Sequence, residues 1–236
     1  MVAACTDLSQ KLHRCIGLAD ACELLAATFC FPTPELANAL VDGSYASDCT
    51  GCFADMGASR ETLDSLASEL EPFKEREVQE LLDALKKGNS ILYLAPGLDV
   101  PVWPYESPFH TMRLDPTAKP SLFRTQIALD IEALMRDAGV AYEYARTDPI
   151  DSIWNEFSYL SFLYGSLAQA IQENNTDQAT EWQKHIDIFT QKHVANWFSD
   201  FMAASIEQAT KHSYGIEYKT FARIGALLTQ ELLKNS

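Results

Sequence analysis

The side chains best suited to chemistry gather in Asp148-Pro149-Ile150-Asp151-Ser152-Ile153-Trp154-Asn155-Glu156. Three carboxylates within nine residues suit a helix start or the grip on a cation. Local physics gives the helix start directly. Asp148 serves as N-cap, Pro149 as N1, and Asp151 as N3, where an acid answers exposed N–H groups and the positive dipole end. The functional alternative sends Asp151 and Glu156 into a groove, where they hold a cationic partner. A second stretch, Ser90–Phe109, reads SILYLAPGLDVPVWPYESPF. It sets Leu92, Tyr93, Leu94, Trp103, Tyr105 and Phe109 in a proline-stiffened run, with Glu106 the only acid after Asp99. Proline fixes φ, so aromatic residues are held with less entropy to lose on binding. The stretch reads as a rim for an apolar peptide and one cationic group, or as a loop tucked against a bundle by its aromatics. Both readings stand at this point.

Other constellations are thinner. The histidines are His13, His110, His185, His193 and His212. No E-x-x-H, G-x-S-x-G, phosphate-binding glycine loop or dinucleotide fingerprint occurs. Glu181 and His185 are one helical turn apart, as are His193 and Trp197, and a solvated pair and a packed aromatic pair explain them simply. All six cysteines lie in the first 52 residues. Cys15, Cys22 and Cys30 fall in a helical pattern, where a thiol packs as a small apolar group. Cys49-Thr50-Gly51-Cys52 matches a redox pair or half of a zinc site, but two further zinc ligands at matching spacing are missing. A helical metal-dependent enzyme using His110, His185 or Cys49/Cys52 is therefore the rival to a binding module.

The elements that must position these residues are helices. Six of ten prolines lie between positions 96 and 120 and none follows Pro149, so two helical blocks flank an irregular segment, residues 89–120. The first helix is expected from a cap at Thr6 or Asp7, with Leu8, Leu12, Cys15, Leu18, Cys22, Leu25 and Phe29 at helical spacing. Phe31-Pro32-Thr33-Pro34 ends it. Thr33 and Pro34 start a short second helix that Gly43 stops. Helix is expected again over 59–73 and 75–87, with Gly88 as C-terminal stop behind Lys86 and Lys87. Further helices run from after Ser121 to Gly139, 151–174, 176–212 and 216–233. Val140–Tyr144 alternates like a strand but lacks a partner, and is read as extended linker. The expected fold class is all-α, a single helical domain over residues 1–236.

Composition bounds the function. The chain has 236 residues, 47% hydrophobic and 22% charged, which is globular rather than disordered. Eighteen basic against 33 acidic residues give a net charge of −15, the wrong sign for binding nucleic acid. The apolar run Phe157–Gln172 is too short and polar for a membrane span. The first residues show no basic region followed by an apolar one, so no secretory signal is expected. The expected compartment is the cytoplasm.

These segments together resemble the TorD/DmsD/NarJ-type redox-enzyme maturation chaperones. Their signature helix start is E-P-x-D-H-x-x-x-E. Pro149, Asp151 and Glu156 match it, Asp148 replaces Glu, and Ser152 stands where the family has His. Leu92-Tyr93-Leu94-Ala95-Pro96-Gly97 and Pro104-Tyr105-Glu106-Ser107 are similar to the family's upstream turn and P-x-E-S phrase. His193-Val194-Ala195-Asn196-Trp197 is similar to its H-x-x-x-W element. The resemblance implies a helical bundle with one long proline-rich loop, no catalytic activity and no cofactor. It implies binding of the twin-arginine signal peptide, or another terminal segment, of a molybdenum oxidoreductase precursor before export. The nitrate-reductase branch, which binds the mature client, is a further option. The implied peptide contacts are Tyr93, Leu94, Trp103, Tyr105, Glu106, Asp148, Asp151, Ser152, Glu156 and His193. A monomer or a segment-exchanged dimer is expected, without stable membrane insertion.

Overall fold

A computed structural model describes residues 2–94, 99–142, 148–211 and 215–234, with side chains from residue 8 onward. The helices are α1 (Val2–Phe29), α2 (Pro34–Asp42), α3 (Ser44–Asp55), α4 (Arg60–Leu70), α5 (Val78–Tyr93), α6 (Glu106–Leu114), α7 (Gln126–Asp137), α8 (Ile153–Gln172), α9 (Thr176–Phe189), α10 (Ala195–Lys211) and α11 (Glu217–Leu233). A 3₁₀ turn, Glu71–Phe73, follows α4, and a π turn, Thr190–Val194, joins α9 to α10. No strand forms among the described residues, so the chain is all-α as expected. Within them, no helix is long and apolar enough to cross a membrane.

The most extensive packing is between α1 and α8. Leu18, Cys22, Leu25 and Phe29 of α1 and Ile153, Phe157, Leu160, Tyr164 and Leu167 of α8 are buried at helical spacing. Helix α3 packs on α1, α9 on α8, and α10 on α11. Aromatic rings fill the joint between these layers. Phe157 meets Phe198 at 4.9 Å between centroids, and Phe29 meets Phe201 at 5.5 Å.

Several expected boundaries hold. Thr33 Oγ1 accepts from the Leu36 N–H to cap α2, and Gly43 stops it at φ 85°. Others need correction. Helix α1 begins at Val2, ahead of Thr6 and Asp7. Helix α5 runs through Gly88 to Tyr93, because Leu81, Leu85 and Leu92 continue one buried face across it. Gly88 answers a packing need instead: a Cβ there would lie 2.6 Å from the Gly215 Cα. The 89–120 segment is not wholly irregular, since α6 forms inside it with Pro108 in its first turn, where the ring displaces no helical hydrogen bond. The 176–212 helix is split by the π turn. The Ala95-Pro96-Gly97 turn, Glu143–Tyr144 of the expected linker and His212 lie outside the described residues.

Candidate functional site: a buried carboxyl and histidine cluster

Two chain segments far apart in sequence are stitched together at the backbone. An antiparallel bridge pairs Tyr105 with Ser152. The Glu106 N–H donates to the Asp151 carbonyl at 2.8 Å, and the Ile153 N–H donates to the Pro104 carbonyl at 2.9 Å. Helices α6 and α8 therefore start side by side. Tyr105, the N-cap of α6, offers no side-chain acceptor. Asp151 supplies one from outside: its Oδ2 accepts from the Ser107 N–H at 3.0 Å and from the Ser107 hydroxyl. Ser107 Oγ also lies 2.6 Å from Thr125 Oγ1, which caps α7 by accepting from the Ala128 N–H. One carboxylate and two hydroxyls thus tie the starts of α6, α7 and α8.

This corrects the expected roles at the start of α8. Its N-cap is Ser152, whose Oγ accepts from the Asn155 N–H at 3.3 Å. Asp148 and Asp151 precede the helix. Serine is a strong N-cap residue, and this gives a local reason for Ser152 where the resemblance leads one to expect histidine.

Asp151 and Glu156 do not line an open groove, and Glu106 meets one only as part of its floor. Glu106, Asp151 and Glu156 are 2%, 0% and 0% exposed, at the place where the bridge joins the starts of α6 and α8 and α10 packs on α6. Glu106 Oε2 lies 2.7 Å from His193 Nδ1, and Oε1 lies 3.6 Å from His110 Nε2. Glu156 Oε2 accepts from the Trp197 Nε1–H at 3.0 Å. The four-residue spacing of His193 and Trp197 now has a purpose, since each side chain serves one buried acid. Glu156 Oε1 and Asp151 Oδ1 receive no hydrogen bond from a donor.

The three acids differ in proton affinity. Burial pushes the Glu106 carboxyl up, but the nearby His110 and the hydrogen-bonded His193 outweigh it and hold the group below the ordinary value. Burial raises Asp151 despite its bonds from Ser107. Glu156 is raised well above the ordinary carboxyl value by burial first, then by the charge of Glu106 and of Asp151. The cluster thus favours the charged form of the carboxyl beside histidine and the neutral form of the one above Trp197.

The remaining expected contacts scatter around this cluster. Tyr93 belongs to the core rather than to a rim: it is 3% exposed, donates from its hydroxyl to Ser205 Oγ and packs edge-on to Tyr218 at 5.3 Å. Leu94 is exposed at the end of α5. Trp103 is half-buried and lines a groove of about 380 Å³ with Val102, Phe109 and Met112. Tyr105 is half-buried, its ring edge-on to Trp154 at 5.5 Å. Asp148 Oδ2 accepts from Tyr142, Trp154 and Asn155 at 2.9, 3.1 and 3.0 Å.

The cluster opens on a pocket of about 630 Å³ between α6, α7 and the π turn. Glu106 and His193 form its floor. His110, Gln126, Asp130, Gln191, Lys192 and Asn196 complete its walls. Asp130, which the sequence reading missed, is the acid that faces outward here. Its Oδ2 lies 3.3 Å from His193 Nε2, and both its oxygens lie 3.0 Å from Lys192 Nζ. The contribution of Ser107 was also missed. The Glu106–His110 contact was legible as an i,i+4 pair; nothing in the sequence pointed to Asp130.

The rival metal constellations are dispersed. Among the described residues no group of three or more His, Cys, Asp or Glu side chains is placed to hold a metal ion. Cys49 and Cys52 are free thiols within α3, both buried. Burial pushes each up to about 12, which suppresses the reactive thiolate.

Among curated proteins, none matches the chain. A family model described as nitrate reductase delta subunit matches residues 54–203. That span contains the α6 start, the α8 start and the His193–Trp197 turn, and exceeds half of the 236 residues. With its helical fold and this match, the chain belongs to the nitrate reductase delta subunit family, the NarJ/TorD-type redox-enzyme maturation chaperones.

Proposed function

We propose that this chaperone binds the twin-arginine signal peptide of a molybdenum oxidoreductase precursor in the cytoplasm and delays export until the cofactor is inserted. The observation that carries this reading is the buried Glu106–His193 pair opening onto a pocket with an outward acid, Asp130. A twin-arginine segment needs a carboxylate for guanidinium and an apolar surface for the residues that follow. Asp130 offers the first. The groove lined by Val102, Trp103, Phe109 and Met112 offers the second, beside the charged Arg113, Asp200 and Glu207. The net charge of −15 draws a basic segment in from a distance. Glu106, Asp151, Ser152 and Glu156 act from beneath, by fixing α6 and α8, and Asp148 and Tyr105 flank them.

Titration calorimetry with signal peptides from the molybdoenzymes of the same organism tests this. Binding to at least one peptide is expected, and its loss when both arginines become glutamine. Folded protein that binds none of them overturns the reading.

The family's description as nitrate reductase delta subunit favours a second reading, in which the mature client is the ligand. Co-purification with a client lacking its signal, with no binding of the isolated signal, selects this second reading.

A further inference from the structure

Asp130 already carries a cation. Lys192 Nζ bridges its two carboxylate oxygens, 3.0 Å from each. The same carboxylate is approached from below by His193, which is 3% exposed and whose Nε2 makes no hydrogen bond. Side chains of adjacent residues on a helix normally diverge. Here residues 192 and 193 of the π turn converge on one acid, and π turns recur at functional sites. Lys192 and Asp130 are 49% and 34% exposed in their side chains, so the contact can open without disturbing the core.

We infer that Lys192 is an internal occupant of the cation seat at Asp130, and that the client's basic side chain binds by displacing it. The inference rests on the reading above, that this face receives a basic segment. The chemistry favours the exchange. An ammonium is a point charge that cannot match both oxygens of a carboxylate with parallel bonds, whereas a guanidinium presents a planar fork that does. The released Lys192 returns to water at little cost, since an exposed pair of this kind is weak. His193 Nε2 is buried and unbonded 3.3 Å from the same carboxylate. Lys192 would thereby discriminate against ligands with single, weakly placed cations.

A double-mutant cycle tests this, with calorimetric titration of the same signal peptides against wild type, Lys192→Met, Asp130→Asn and the double variant. Lys192→Met is expected to tighten binding about 1.5- to 5-fold, the range set by an exposed ion pair. Asp130→Asn is expected to weaken it, and in that background Lys192→Met should give no gain. Lys74→Met, which makes the same charge change away from the pocket, should give a smaller gain. Thermal unfolding of each variant confirms that the fold is retained. Wild-type binding that Lys192→Met leaves unchanged overturns the inference and leaves the proposed function standing. So does a gain that persists with Asn at position 130, because it marks a long-range charge effect. Failure of every variant to bind any peptide overturns the proposed function itself, and the inference with it.

Discussion

At the residue scale, the buried acids make a pH profile that surface acids would not. A carboxyl raised by folding binds its proton more tightly folded than unfolded. Its stabilisation is complete below the ordinary value of 4.5 for Glu156 and is lost as pH rises through the higher folded value. Asp151 acts in the same direction. Glu106 acts oppositely: its contribution is present above 4.5 and is lost as pH falls through its lower folded value. Glu156→Gln keeps a neutral side chain that still accepts from Trp197. Thermal unfolding between pH 5 and 9 should show the variant within about 1 kcal/mol of wild type at the acid end, and increasingly more stable than wild type toward the alkaline end. Parallel curves would mean that Glu156 does not titrate in the folded protein. Trp197→Phe removes the indole donor to Glu156 Oε2 and should cost about 1–3 kcal/mol in denaturant titration.

At the element scale, helix starts were only partly legible. Thr33-Pro34 and Gly43 act through their own neighbours, so the cap of α2 and its stop could be read directly. Asp151 acts on a helix that begins 45 positions earlier in the sequence, so local rules placed it on the wrong one. Proline density concealed α6, because Pro108 falls in the first turn, the one place where a helix tolerates it. Helix α3 escaped notice because its buried face is Tyr45, Cys49, Cys52 and Phe53, which read as a small polar stretch with a CxxC. Two substitutions separate the caps. Ser152→Ala should cost about 0.5–2 kcal/mol through α8. Asp151→Ala should speed amide hydrogen exchange at Ser107, Phe109 and His110 of α6 and leave the first turn of α8 nearly unchanged; the reverse pattern would restore the local reading. Gly88→Ala should cost about 1–3 kcal/mol by pushing α5 away from Gly215, a backbone contact that no spacing rule announces.

At the scale of the whole molecule, the sequence conveyed the class of fold and the family, but not the arrangement of the acids. Helical periodicity and the order of three weak motifs were enough for the architecture. Glu106, Asp151 and Glu156 are buried where the bridge between Tyr105 and Ser152 joins the starts of α6 and α8, and of the three Glu106 reaches the floor of the pocket. The acid left facing outward, Asp130, carries no motif. Most of the other acids lie on the surface, so their pull on a basic peptide should fall with screening. Raising ionic strength from about 0.01 to 0.15 M shortens the Debye length from roughly 30 to 8 Å, and should slow association far more than it speeds dissociation.

The central claim is that a client's basic terminal segment docks where α6, α7 and the π turn meet. Hydrogen exchange with and without a signal peptide that binds tests it most directly. The account predicts slowed exchange in residues 106–114, 126–137 and 190–196, with little change in the groove that Leu8, Ala170 and Thr176 line on α1 and the α8–α9 turn. Protection confined to that other groove, with none at α6, α7 and the π turn, would contradict it.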